Sequence, residues 1–595
     1  MGDLPMELRR LALLSFAVTA VVWAPAGSMR AQSNPCVAAL AQDARVTRAA
    51  FDREPKYGRF GADTRDIRDL LHQSTVADKM RDRDAEPRRV RPAAAFGTSP
   101  DVDDIAVLED NGDLIIRPNS FDLANRGIRF VPNGSSYRIS TTGADFRTPL
   151  GRAVTLGDDD SSPQTLASPV SIFGRRLSAL FVNSDGNVTF GEADNASTTR
   201  GLARLLTGPP RIAPFFADLD PTAGGRIFFD ATSDAVTVTW CAVPGFDSLQ
   251  TITAQIVMQS NGTIDLRFGA ADLVNGIVAL SPGATENFTP VDLSRASPSS
   301  GDPGALGEQF AASASLNLVA ASQRFYETHP DAFDQLVFWA DSPVMDDAFA
   351  FESTVQNAIT GTGLEVFDSS ALLGSDGALQ SVVNMDRVAK YGDTPTAKLF
   401  GENTPLGILA HETGHRWLTR IMFRDVNREV SDQLLGRQRA HWSFFMDSDG
   451  SVMEGNEIED QRGGVFRTVA ATERYSRLDM YAMGLATAAE VPSWFFIESP
   501  NSTRTRETPP IAGVTINGTR RDVLIQDVID VLGPRVPSAG NSPRVLRQAF
   551  VYVRRAEASH DPSDLTRLAR IREQWPAFFR RATENRMTVE TRLVP

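Results

Sequence analysis

The chain of 595 residues has room for roughly three or four domains at ~150 residues each. Its 42% apolar and 23% charged residues give the balance of a folded globular protein, which excludes a mostly disordered chain, a polytopic membrane protein and a fibrous repeat. The net charge of −14, from 60 basic and 74 acidic residues, argues against a nucleic-acid binder, because neutralising phosphates needs a basic face.

At the N-terminus, Arg9 and Arg10 precede the uncharged run Leu11 to Ala24, followed by small residues. A basic start, an apolar run of ~7–15 residues and an Ala-x-Ala-like exit predict a secretory signal peptide over 1–31, cleaved after Ala26 or Ala31. The run is shorter than the ~20 residues a spanning helix needs, so no membrane span is expected in the mature chain. The expected location is secreted or periplasmic. The two cysteines, Cys36 and Cys241, can pair in such a compartment or stand as separate thiols, and they are too few for a cysteine-based zinc site. Residues 32–103, rich in Arg, Asp and Ala, read as a helical or partly disordered lead-in without a motif.

From Asp104 the apolar period changes to two. The run IAVLEDNGDLIIRP predicts a hairpin around Asn111-Gly112, and further hairpin turns fall at Asn133-Gly134, Asp185-Gly186 and Asn261-Gly262. Many short strands at regular spacing predict an all-β, sandwich-like domain over 104–284. The pieces Leu180–Phe190, Arg211–Asp220, Val236–Trp240 and Asn261–Ile264, in that order and spacing, resemble the extracellular nidogen-like domain. That resemblance implies a non-catalytic module with an extracellular partner. Residues 285–310, a Ser/Pro/Gly stretch, are expected to be a linker.

Beyond it the pattern alternates between helix and strand. Phe333 to Asp341 and Leu379 to Met385 read as buried strands, and PLGILAHETGHRWLTRIMF as a helix with an apolar stripe through Ile408, Leu409, Trp417, Leu418, Ile421 and Met422. The expected units are an α+β catalytic core over 311–485 and a helical subdomain over 486–595. The helices of that subdomain are SPRVLRQAFVYVRRAE and PSDLTRLARIREQWPAFFRRAT.

The chemistry sits at His411-Glu412-Thr413-Gly414-His415. Residues four apart share one helix face, so both imidazoles can reach one Zn2+, while Glu412 can reach a water beside it and act as general base. A catalytic zinc needs a third protein ligand. Histidine is scarce, six in the chain, yet His441 follows His415 by only 26 positions and opens the aromatic segment His441–Phe445. That makes His441 the leading third ligand, with Glu454 and Asp479 as competitors. Tyr481, with Tyr475 beside it, is the candidate donor to the carbonyl oxygen under attack.

The motif and its downstream segments resemble the zincin metallopeptidases across about 310–595, without matching a well-defined subgroup. Glu454, in a Glu-Gly context, resembles the glutamate ligand of gluzincins, and Tyr475–Gly484 could supply a methionine beneath the metal as in metzincins. The elongated metzincin signature would need Gly at 418 and His at 421, where this chain has Leu418 and Ile421. The resemblance implies a secreted zinc-dependent endopeptidase acting on a protein or peptide substrate. Two alternatives stand beside it: an exported adhesion or binding protein whose zincin domain is inactive and structural, and a metal-dependent hydrolase of non-peptide bonds.

Overall fold

The computed structural model describes residues 35–40, 64–84, 101–196, 200–246, 248–295, 304–346, 348–399, 401–556 and 562–594. The signal peptide expected over 1–31 lies outside the described residues. The described chain is a β-rich, multidomain structure. Among the described residues no helix is long and apolar enough to cross a membrane.

Two seven-stranded sheets face each other in the N-terminal half. One runs Ser136–Thr142, Gly127–Asn133, Ile264–Ala271, Thr251–Gln259, Ala235–Pro244, Arg226–Ala231 and Arg152–Val154. The other runs Phe288–Pro290, Ala305–Phe310, Gly276–Ser281, Arg211–Phe216, Asn187–Thr189, Arg175–Asn183 and Ser161–Ile172. Phe130, Trp240 and Leu266 from the first sheet meet Leu180, Ile212 and Leu280 from the second in a shared core. The hairpins at Asn133-Gly134, Asp185-Gly186 and Asn261-Gly262 form where the turn residues place them. At the second of these, Gly186 has φ 64° and a Cβ there would meet the Phe215 carbonyl oxygen, so only glycine fits.

Two boundaries differ from the expectation. Phe288–Pro290 and Ala305–Phe310 are strands of the second sheet, so these described parts of the stretch read as a linker over 285–310 belong to the sandwich. Glu308 on the latter strand is buried and accepts from the Leu293 backbone N–H (2.7 Å) and the Asn119 amide (3.2 Å). Burial outweighs these bonds and pushes its carboxyl up to about 7. The folded chain then holds a proton that the unfolded chain releases, so this side chain's contribution to stability is full below the ordinary glutamate range and falls as pH rises towards about 7. Glu308→Gln is therefore expected to raise the stability of the sandwich at about pH 8 by on the order of 1–3 kcal/mol, read as a higher thermal midpoint, and to leave it unchanged near pH 4. Equal effects at both pH values in a thermal scan would contradict this assignment.

The second boundary is at the start. Ile105–Asp110 does not form a hairpin about Asn111-Gly112; it pairs in parallel with Val545–Arg555. Asp110 Oδ1 instead gathers the backbone N–H groups of Gly112, Asp113, Leu114 and Ile115 at 2.8–3.2 Å, turning the chain out of the sheet. The sandwich is thus inserted between the first strand of the second unit and the rest of it. That unit's sheet has the order Ile105–Asp110, Val545–Arg555, Gln335–Ala340, Ser381–Arg387 and Phe351–Thr354. The first four are parallel and the last is an antiparallel edge.

Val545–Arg555, expected as a helix, is therefore a central strand. A parallel strand covered on both faces carries a near-continuous apolar run, and a run without alternation does not separate strand from buried helix. The region 486–595 is not a helical subdomain. It supplies this strand, the helix Pro562–Ala582 and two strands, Trp494–Asn501 and Thr515–Val523, of a closed five-stranded barrel. The barrel is completed by Met446–Asp447, Asn456–Asp460 and Val465–Ala471, around a small core of Phe444, Phe466, Phe495 and Ile516.

The lead-in ties the units together. Its helix Ile67–Asp84 accepts the Ala203 N–H on Asp69 and donates from Gln73 to Ser315, 2.7 Å in both cases. Just before it, Arg65 donates its N–H to the Glu352 carbonyl on the edge strand and stacks over Phe351. Cys36 and Cys241 form a disulfide that joins the helix Pro35–Leu40 to the sandwich. Such a bond belongs to an oxidising compartment.

Candidate metal centre

The motif lies on the helix Pro405–Gly414, which is shorter than its apolar pattern suggests. Thr404 caps it by accepting the Gly407 N–H at 3.0 Å, and Pro405 follows at the first helical position, where its missing N–H costs nothing. The helix stops at Gly414, so Trp417, Leu418 and Ile421 pack into the same core from the segment that follows it. A Cβ at Gly414 would fall 2.6 Å from Met453 Sδ, so this position of the motif is set by packing. The helix contacts the strands Phe351–Thr354 and Ser381–Arg387 on one side and the helix Pro562–Ala582 on the other. Tyr475 Oη donates to the Ala410 carbonyl at 2.6 Å and locks its last full turn.

Three histidines converge at the end of this helix. His411 Nε2 lies 3.1 Å from His415 Nε2 and 3.2 Å from His441 Nε2. The other ring nitrogen of each donates to a backbone carbonyl: His411 to Val452 (2.7 Å), His415 to Leu418 (3.1 Å) and His441 to Arg437 (2.8 Å). A carbonyl only accepts, so these bonds place the N–H of each ring on Nδ1 and turn the three Nε2 atoms toward one another, with Arg437 Nη2 donating to that of His441 at 3.0 Å. Ring acceptors converging in a buried space repel one another unless a proton donor or a cation lies among them. Two tetrahedral zinc ligands at ~2.0–2.1 Å from the metal are about 3.3 Å apart, so the observed spacings fit that ion's demands. The set His411, His415 and His441 is one of two groups among the described residues whose donor atoms could hold a metal. His411 is 4% exposed and the other two are fully buried.

Glu412 is fully buried next to His411. Its charge acts on Lys390, where it opposes the downward pull of burial, and on Tyr391, where it adds to the upward push of burial.

The two carboxylates that compete for third ligand are otherwise engaged. Asp479 is fully buried and accepts from Trp442 Nε1 (2.8 Å), Ser451 Oγ (2.6 Å) and the Ser476 N–H (2.6 Å). It staples three segments behind His441, and burial outweighs these bonds to raise its carboxyl. Glu454 pairs with Arg437 through both oxygens, at 2.6 Å to Nη2 and 3.1 Å to Nε. Burial alone would raise the Glu454 carboxyl, but the paired Arg437 guanidinium overcomes it and holds it below the usual range.

The two tyrosine hydroxyls are bonded to backbone groups. Tyr475 serves the motif helix, and the Tyr481 hydroxyl accepts the Arg535 backbone N–H at 3.1 Å. The Tyr481 hydroxyl, expected as the carbonyl donor, faces a backbone amide on the segment before the Val536-Pro537 bond. Met480 Sδ accepts from Arg477 at 3.8 Å, and Met453 packs against the motif helix at Gly414.

Sequence reasoning did not single out Arg437, which lies four residues before His441. All but four of the 60 basic residues are arginine, so residue type gave no signal. No family model, no curated protein and no solved structure matches the chain.

Proposed function

We propose that the chain is an exported, zinc-dependent endopeptidase with a zincin-like catalytic unit and an inserted nidogen-like module. The observation that carries this reading is the convergence of His411, His415 and His441 through Nε2, with Glu412 buried and following His411 on the motif helix. Three imidazoles, each held by its Nδ1–H on a backbone carbonyl, are the donor set of a catalytic zinc. Zinc, when bound, supplies a Lewis acid that acidifies water and polarises a carbonyl.

The chain's own residues do the rest. Val452, Leu418 and Arg437 orient the imidazoles through their carbonyl oxygens. Glu412 takes the proton from the attacking water on its carboxylate and passes it to the departing amine. The disulfide and the apolar N-terminal run support export to the extracellular space or periplasm. The module in the chain's first half is the part with an extracellular partner.

Metal analysis of the purified mature protein should find one zinc per chain. Casein hydrolysis should be present with the metal, be lost with chelator, and return on adding zinc. A second reading, a binding protein with a structural zinc, is favoured by the near-complete burial of the three histidines. One tightly held zinc with no hydrolysis of casein or of ester substrates would select it. Ester hydrolysis without casein hydrolysis would select a non-peptide hydrolase.

A further inference from the structure

Arg437 and Glu454 form a buried ion pair placed directly against the histidines. The Arg437 side chain is fully buried and Glu454 is 6% exposed. One guanidinium nitrogen, Nη2, lies 2.6 Å from Glu454 Oε1 and 3.0 Å from His441 Nε2. A single nitrogen therefore donates both to a carboxylate and to the imidazole nitrogen that a metal would take. The Arg437 carbonyl also accepts from His441 Nδ1, so this one residue addresses both nitrogens of the ring. Glu454 holds a left-handed backbone (φ 63°), which residues with a Cβ rarely adopt and which is retained here with its carboxylate on Arg437.

We infer that Arg437 is a positioning residue that keeps Glu454 from becoming a fourth protein ligand, so that the three-histidine site stays catalytic instead of closing into a structural one. The inference rests on the reading that the histidines hold zinc. A carboxylate oxygen is a good zinc ligand at ~2.0–2.2 Å, and four protein ligands make a structural site. Neutralised by a bidentate guanidinium, the same carboxylate has its oxygens occupied and no net charge to offer. Removing the arginine leaves a buried, unpaired carboxylate, a state that proteins relieve by acquiring a cation. A metal held by the three histidines would be such a cation.

The charges make the signs of the test opposite. Arg437→Met should bind zinc ~10-fold or more tightly than the unmodified protein, because Glu454 is released toward the metal. Glu454→Gln should bind it ~10–100-fold more weakly, because an unneutralised guanidinium then lies beside the cation. The double variant Arg437→Met/Glu454→Gln should return to within a few-fold of the starting affinity. Zinc affinity is measured by competition with a chromophoric chelator. Visible absorption of the Co2+-loaded protein supplies a second readout: it should shift in Arg437→Met and revert in the double variant.

A pair that merely holds the fold would weaken zinc in both single variants, and that result overturns the inference. An unchanged Co2+ spectrum in Arg437→Met also overturns it. Should Arg437→Met fail to fold, Glu454→Gln and the double variant decide: weakening in the first and recovery in the second are both required. If the unmodified protein itself binds neither zinc nor Co2+, the failure belongs to the zinc reading and not to the role of Arg437.

Discussion

Glu412→Gln is expected to keep its zinc and its fold while peptide hydrolysis falls by ~10²–10⁴-fold, the range for losing a general base. The side chain is fully buried and follows His411 on the motif helix, so the amide replaces the carboxylate without changing its volume. What it loses is the ability to accept a proton from water. A buried carboxylate beside a cation is also a charge partner for that cation, so a modest loss of zinc affinity, ~10-fold or less, is compatible with the same role. Zinc stoichiometry, a thermal scan and casein hydrolysis on the same preparation separate these effects. Full activity would sink the mechanism. Loss of the metal would make Glu412 a ligand or an essential partner of one.

The parts of this site that were legible in the sequence share a local cause. The spacing of His411 and His415 is one helical turn, a relation that needs no tertiary information. His441 was legible for a second reason: a buried ring needs partners, and its aromatic neighbours Trp442 and Phe444 proved to be buried, at 1% and 0% exposed. The hairpins of the sandwich follow from turn chemistry, also local.

What was not legible depends on distant pairing. Ile105–Asp110 has its partner at Val545–Arg555, where Glu109 and Arg554 pair across 445 positions. No turn residue at Asn111-Gly112 reports that competitor. The same remoteness hid the strand character of Val545–Arg555, whose neighbours on both sides come from other parts of the chain. Ser/Pro/Gly content over 285–310 describes backbone freedom in the unfolded chain, and sheet pairing at Ala305–Phe310 overrides it. Tyr481 was placed by proximity to Asp479 in sequence, but its hydroxyl is claimed by the Arg535 amide, a contact across 54 positions.

His441→Ala is expected to empty the site, whereas Asp479→Ala should keep the zinc and lose stability. The two residues sit close in the fold but do different work. His441 offers a lone pair on Nε2, 3.2 Å from His411 Nε2, and removing it leaves two imidazoles, fewer than the three protein ligands of a catalytic zinc. Asp479 offers its oxygens to Trp442, Ser451 and Ser476, none of them a metal donor in this site. Its loss leaves buried donors unsatisfied, at about 1–3 kcal/mol each before relaxation, and loosens the segment that carries His441. Zinc affinity in Asp479→Ala should therefore fall by ~10–100-fold while the stoichiometry at saturating zinc stays at one. The measurement is metal content after gel filtration with circular dichroism as the fold check, together with a thermal midpoint for each variant. Added imidazole should restore zinc to His441→Ala, because the free ring can enter the space the side chain vacates, and it should do nothing for Asp479→Ala. A fully metallated His441→Ala with an empty Asp479→Ala would move the third ligand to the Tyr475–Gly484 segment and overturn the three-histidine centre.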